Sequence, residues 1–287
     1  MKTSDALKEI ILKKKEKILL AKQNISEEDL KAKIQNLPPA RPFIEAINKP
    51  RTISLIAEIK KASPSRGVIR QDFNLTEIAQ AYRDSGVQAI SILTEEDFFC
   101  GSLSYINEVK DIINVPVLRK DFILEPYQVY ESRFFGADAI LLITDLLSKD
   151  KLSELMQIAD SLGIDCLIEI HDEKELKKVL SLKVNLIPNE VTQGGQSSGS
   201  RNNSRKIATF GIGINNRDLH TLNVDFKTTE RLFPLIPKDK IVVVESGIKS
   251  NQDVLFLKIL GASAVLIGEA FMEAPDIKKA VEEIMGW

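Results

Sequence analysis

From Ser54 onward, short apolar runs rich in β-branched residues alternate with longer amphipathic stretches, and the alternation repeats eight times. The runs are Ser54–Ile59, Ala89–Leu93, Val115–Arg119, Ala139–Ile143, Asp165–Ile170, a sixth ending near Ile214, Ile241–Glu245 and Ala264–Ile267. Leu75–Ser85, Tyr127–Phe135, Leu152–Leu162 and Glu173–Leu180 are among the helix-like segments between them. A short buried strand followed by an amphipathic helix, repeated, builds right-handed βαβ units and a parallel sheet. Eight such units favour a closed (β/α)8 TIM barrel over an open α/β sheet. An open doubly wound sheet usually carries a glycine-rich fingerprint after its first strand. Here the first strand runs into Lys60-Lys61-Ala62-Ser63-Pro64-Ser65 instead.

Residues 1–50 have a different texture. They read as two charged helices, Asp5–Gln23 and Ser26–Gln35, with Ser26 and Asp29 spaced like a capping box and Leu37-Pro38-Pro39 as the stop. The expectation is an N-terminal helical extension, 1–50, packed across one end of a barrel spanning 51–287. One step around the barrel is too long. The fifth and sixth strands end at Ile170 and Ile214, a spacing of 44 residues, whereas the other steps span 22 to 34. The excess coincides with the polar stretch Asn189–Lys206, in which Val191 is the only apolar residue besides the glycines. Such a segment cannot bury enough surface to offset its ordering entropy, so 188–206 is expected to be a flexible insertion before strand 6. Two registers fit. Val184–Ile187 could start a strand that the insertion splits, or Ile207–Ile214 could form the whole strand. The second is favoured because a split strand leaves core backbone groups unpaired. It brings the insertion in at the N-terminal face of the barrel, away from the chemistry.

Composition narrows the function classes. The formal net charge is -2, which offers no polybasic surface for nucleic acid. No apolar run reaches the ~20 residues of a membrane helix, and no signal-like apolar region follows Met1-Lys2. The two cysteines, Cys100 and Cys166, lack CxxC spacing, which fits a reduced cytoplasmic setting. His171 and His220 are the only histidines, so a three-histidine zinc site is impossible. No metal is expected. The expected partner is a small-molecule substrate, and the expected state is a monomer or weak homodimer.

Catalytic groups in such barrels sit at the C-terminal ends of strands, and alternate strand residues share a face. Glu58 and Lys60 end the first strand on one face, with Ile59 turned outward against a helix. By the same alternation Leu118, Lys120 and Phe122 share a face, as do Leu167 and Glu169, and Val243 and Glu245. One charged strand end is ordinary. Several around one opening are costly unless mutually paired, and such clusters belong mainly to functional sites. Ser246-Gly247 and Gly268-Glu269 follow strands 7 and 8, where barrels hold phosphate: glycine admits the anion to the backbone.

These residues closely resemble the signature of the indole-3-glycerol phosphate synthases. The resemblance starts with Ile56-Ala57-Glu58-Ile59-Lys60-Lys61-Ala62-Ser63-Pro64-Ser65-Arg66-Gly67. It continues through Leu93-Thr94-Glu95, Phe99-Cys100-Gly101-Ser102 and Leu118-Arg119-Lys120-Asp121-Phe122. It resumes at Leu167-Ile168-Glu169, Gly213–Leu219, Val244-Glu245-Ser246-Gly247-Ile248 and Leu266-Ile267-Gly268-Glu269, and so covers about residues 40–287 outside the insertion. The resemblance implies a tryptophan-pathway carboxy-lyase that needs no cofactor. Its substrate would be 1-(2-carboxyphenylamino)-1-deoxyribulose 5-phosphate, closed with loss of carbon dioxide and water to indole-3-glycerol phosphate. Lys120 matches the family's general acid at the substrate ketone, and Glu169, Glu58 and Lys60 match positions tied to the dehydration. Lys60 could instead hold the phosphate, and the division of these roles stays open. Ser63, Asn215 and Arg217 resemble groups that orient the anthranilate carboxylate and sugar hydroxyls. Phe99 and Phe122 would offer apolar surface to the aromatic ring. Ser246, Gly247 and Gly268 resemble the phosphate clamp, with Glu269 where some members carry serine. Arg217 with Glu245 is a candidate structural pair, and His171 and His220 read as surface polar residues. The competing readings are phosphoribosylanthranilate isomerase, which uses a cysteine and an aspartate after early strands, and a catalytically inactive binding barrel.

Overall fold

The computed structural model describes residues 3–182 and 210–287. Eight strands form the barrel: β1 Ser54–Ile59, β2 Ala89–Leu93, β3 Val117–Lys120, β4 Ala139–Ile143, β5 Asp165–Ile170, β6 Gly211–Asn215, β7 Ile241–Glu245 and β8 Ala264–Ile267. Each pairs in parallel with both neighbours, and β8 closes onto β1, so the sheet is a barrel in sequence order. β3 departs from its expected bounds at the start, and β6 begins at Gly211, with Phe210 outside the strand rather than within the Ile207–Ile214 run. Pro116 has no N–H to give the ladder, and β3 begins after it.

Alternation along the strands sorts the side chains into two cores. Ile56, Leu118, Leu141, Leu167, Val243 and Leu266 fill the lumen. Leu55, Ala57, Ile59, Val244 and Val265 face outward into the layer of helices. Those helices are α4 Leu75–Asp84, α5 Ser104–Ile112, α6 Pro126–Phe134, α7 Lys149–Ser161, α8 Glu173–Leu180, α9 Lys227–Leu232, α10 Asn251–Leu260, and the pair α11 Glu269–Glu273 and α12 Ile277–Met285. Their starts follow from local chemistry. Asn74, Ser148, Asp172, Ser250 and Asp276 each accept a first-turn backbone N–H, and Pro126 stands where its missing donor costs nothing.

The N-terminal segment forms α1 Thr3–Asn24, α2 Glu27–Ile34 and α3 Phe43–Ile47, the last not anticipated from the sequence. It covers both ends of the barrel rather than one. Leu7 and Ile10 of α1 join the lumen cluster beside Phe99 and Phe122. Phe43, Ile44 and Ile47 of α3 enter the same cluster from the opposite end. There the Ile44 N–H donates to Asp165 Oδ2 at 2.9 Å, and the Ile44 side chain crosses Gly211. Asp165 and Gly211 are the first residues of β5 and β6, so α3 plugs the N-terminal end. The expected insertion at 188–206 and the Ile207–Thr209 stretch lie outside the described residues, and β6 is described from Gly211. Among the described residues, no helix is long and apolar enough to cross a membrane.

Candidate active site

The C-terminal ends of the strands open on a cavity of about 810 Å3, within the usual range for small-molecule sites. Glu58, Lys60, Ser63, Phe99, Lys120, Phe122, Glu169, Asn215, Arg217, Glu245, Ser246, Gly247, Gly268 and Glu269 all line it. Every candidate read from the sequence therefore meets the same space. Lys120 is its centre. Nζ stands 3.1 Å from Glu169 Oε2 and 2.9 Å from Glu245 Oε2. Lys60 Nζ lies 2.6 Å from Glu58 Oε1. All these side chains are buried or nearly so. Strand geometry alone produces the arrangement: β1, β3, β5 and β7 each end with an inward charged residue, so the four converge.

Burial acts differently on the three central groups. It opposes the charge on Lys120, but Glu169, Glu245 and Glu58 outweigh it, and the ammonium is held well above its ordinary range. Burial would also raise Glu169, yet Lys120 and then His171 hold that carboxyl well below the usual range. Glu245 goes the other way. Burial, with Glu169 and Glu58 nearby, overcomes the pull of Lys120 and pushes it up to about 7. Two carboxylates sharing one ammonium thus divide into an ionised member and one that can keep a proton. Glu245 Oε1, which has no partner among the described residues, is the oxygen free to carry it.

Two glycines make room for these carboxylates. A Cβ at Gly213 would stand 2.4 Å from Glu245 Oε1, and one at Gly268 would stand 2.4 Å from Glu58 Oε1. At one side of the cavity the Phe99 and Phe122 rings lie 6.2 Å apart at 45°. At the other, Ser246 and Gly247 both take left-handed backbone, with φ of 64° and 85°. A non-glycine residue in that region costs about 1 kcal/mol or more, and such strain gathers at ligand sites. This side also holds an ionic chain. Glu269 sits 3.0 Å from the Arg217 guanidinium and 3.4 Å from Arg66 Nε, and Arg66 reaches Glu273.

The profile of the family described as indole-3-glycerol phosphate synthase matches residues 7–188 and 202–284. The chain belongs to the indole-3-glycerol phosphate synthase family. A relative of that name from Acetivibrio thermocellus is 44% identical over 279 residues, covering 96% of this chain and 98% of its own. Another, from Caldanaerobacter subterraneus subsp. tengcongensis, is 48% identical over 246 residues, covering 85% and 86%. Among solved structures, 3-hexulose-6-phosphate synthase from Salmonella typhimurium superposes with a TM-score of 0.56 at 12% identity, over 82% of this chain and 97% of that one. At that identity the likeness speaks for the barrel alone. The family membership leaves the isomerase reading without support.

Four sequence readings need correction or addition within this synthase-family site. Arg217 does not pair with Glu245. Its guanidinium turns toward Glu269, Ser65 Oγ at 3.4 Å and the Leu222 carbonyl at 3.0 Å, because Lys120 already occupies Glu245. His171 is not a surface residue. Its ring is wedged between Glu169 and Glu175, whereas His220 is exposed beside Asp145. The sequence reading also passed over Arg119 and Asp121, which form a second buried ionic cluster on the outer face of β3. Arg119 reaches Asp121 and Glu131 at 2.9 Å each, and Lys14 of α1 reaches Asp121 at 2.7 Å. The signal was present: Arg119 and Asp121 are two apart, just like Glu58 and Lys60. Gly213 was missed too, although a glycine inside a strand points to a close approach.

Proposed function

We propose that this mouth closes the indole ring of 1-(2-carboxyphenylamino)-1-deoxyribulose 5-phosphate, releasing carbon dioxide and water and leaving indole-3-glycerol phosphate. The observation that carries the reading is the position of Lys120. Its ammonium, kept loaded by flanking carboxylates, stands in a cavity with an aromatic wall on one side and a glycine-lined turn on the other.

The ring carbon that bears the carboxylate must attack the ketone carbon. Lys120 donates a proton to the ketone oxygen as that bond forms, which makes the carbonyl carbon electrophilic. Loss of carbon dioxide then returns the bonding electrons to the aromatic ring. Dehydration expels the resulting hydroxyl as water, which needs an acid, and removes a proton from the carbon beside the nitrogen, which needs a base. Glu169 suits the base, because its surroundings favour the ionised form. Lys60, paired with Glu58, suits the acid, and the same ammonium suits an anchoring contact to phosphate. Ser246, Gly247 and Gly268 form the phosphate seat, with the Glu269 backbone at its edge. Ser63, Asn215 and Arg217 orient the carboxylate and sugar hydroxyls, and Phe99 and Phe122 flank the anthranilate ring. The cysteine spacing fits work in a reducing cytoplasm, and the expected state is a monomer or weak homodimer.

The test is direct. The purified chain is given the carboxyphenylamino substrate, and indole fluorescence is followed alongside carbon dioxide release. One equivalent of each per substrate supports the reading. Binding without turnover would make this an inactive barrel.

A further inference from the structure

His171 follows β5 immediately, two residues after Glu169, and so begins on the same face of the chain. Its ring carries the Glu169 carboxylate on one side and the Glu175 carboxylate of α8 on the other. Nε2 stands 3.2 Å from Glu169 Oε1, close but off the line of a good hydrogen bond. Nδ1 stands 3.2 Å from Glu175 Oε2, and the same oxygen accepts the His171 backbone N–H at 2.7 Å. Glu175 is itself seated by its N–H on Asp172 Oδ1. Glu169 therefore faces a different cationic group with each oxygen: Oε2 meets Lys120 inside the cavity and Oε1 meets the histidine outside it.

We propose that His171 is a positioning residue for the synthase reaction: clamped by Glu175, it holds Glu169 by its outer oxygen and keeps that carboxylate ionised and aimed at the substrate. The inference rests on the assignment of Glu169 as the base. Every element packed around the ring bears on it. β5 supplies Glu169, α8 supplies Glu175 and Asp172, and α9 supplies Arg231, whose guanidinium reaches the His171 carbonyl at 3.5 Å rather than the ring. Lys120 of β3 acts on the ring through Glu169. The two facing carboxylates outweigh both burial and the more distant cations. Burial alone would lower the imidazole, and the contacts to Glu169 and Glu175 push it up to about 10. The ring is then a cation throughout the working range, which a neutral surface histidine would not be. A cation beside a carboxylate lowers its proton affinity, and a seat fixed on both sides removes its rotational freedom.

The experiment compares the purified full chain with His171→Asn, Glu175→Gln and Glu169→Gln, by kcat, KM and the pH profile of kcat. Asparagine keeps a donor and loses the charge. For His171→Asn, kcat is expected to fall on the order of tenfold with KM little changed. The acid limb of its profile is expected to move to higher pH by about one unit, because Glu169 now binds its proton more readily. Glu175→Gln should move the limb the same way by less, and it serves in place of His171→Asn should that variant fail to fold. Folded variants with wild-type kcat and an unmoved acid limb, alongside an inactive Glu169→Gln, would overturn the positioning role. An active Glu169→Gln would overturn the base assignment itself, and the clamp would lose its purpose with it.

Discussion

Three consecutive residues of one strand end feed two buried charge clusters with opposite fates. Lys120 points into the lumen, where it shares two carboxylates and faces an open cavity. Arg119 and Asp121 point outward, where the pairing is complete, although Asp121 also reaches the lining of that cavity. The Arg119 guanidinium meets Asp121, Glu131, Thr94 Oγ1, Ser132 Oγ and the Gln128 carbonyl. Asp121 meets Lys14, Thr94 and the Phe122 N–H. Burial would raise its carboxyl, but Lys14 and Arg119 hold it well below the usual range. Buried charge therefore does not mark a site by itself. Incomplete pairing in a residue that lines a cavity marks it, as with Glu245, whose second oxygen has no partner among the described residues.

The sharpest way to break this contrast is to remove the two cations in turn. Lys120→Met should cost ~10²–10⁴ in turnover, the usual worth of a general acid, with the fold retained by circular dichroism. A folded variant with most of its activity would remove Lys120 from the chemistry. Arg119→Met should do the reverse. It leaves Asp121 and Glu131 short of a partner in the interior, at about 3–5 kcal/mol, or roughly 10 °C in thermal midpoint for a chain of this size. Turnover per folded molecule should stay within a few-fold, and a stable but inactive Arg119→Met would erase the distinction.

Smaller effects sharpen it. Glu245 ionises as pH rises through about 7, and it then adds a negative charge facing a substrate with two anionic groups. Wild-type kcat/KM should therefore drop relative to Glu245→Gln above pH 7, by roughly fivefold, or about 1 kcal/mol. Taking the ratio of the two proteins cancels the titration of the substrate phosphate, and a flat ratio from pH 6 to 8 would contradict the assignment. Last comes the effect expected to be nil. The mouth carboxylates already face Lys60, Lys120 and His171, and among the described residues no cluster of three or more His, Cys, Asp or Glu side chains is placed to hold a metal. Exhaustive chelation should leave turnover unchanged; activity lost and then restored by one added metal would reverse this.

The barrel was legible because burial on both faces of a parallel sheet writes β-branched runs into the chain at regular intervals. The inward charges were legible because strand alternation is strict: knowing that Leu118 faces the lumen places Lys120 and Phe122 there too. What alternation cannot supply is the partner across space. Arg217 was matched with Glu245 by chemistry alone, when Lys120 was nearer and Glu269 was waiting. His171 read as surface because it follows a strand end, while α8 brings Glu175 back over it only through the turn of the chain. The hairpin that pairs Ala62–Ser63 with Gly67–Val68 is too short to leave a periodic trace. The plug α3 is five residues long and carries no cap signal in its sequence.

The tie between Lys14 and Asp121 bears on how this chain is born. α1 is made before β3, yet Lys14 finds its buried partner in a residue more than a hundred positions downstream. Leu7 and Ile10 enter a lumen that β3, through Leu118, helps to build. The order of synthesis and the order of assembly therefore run in opposite directions at this end of the molecule. The mouth gains one of its walls when an earlier-made part of the chain returns to it.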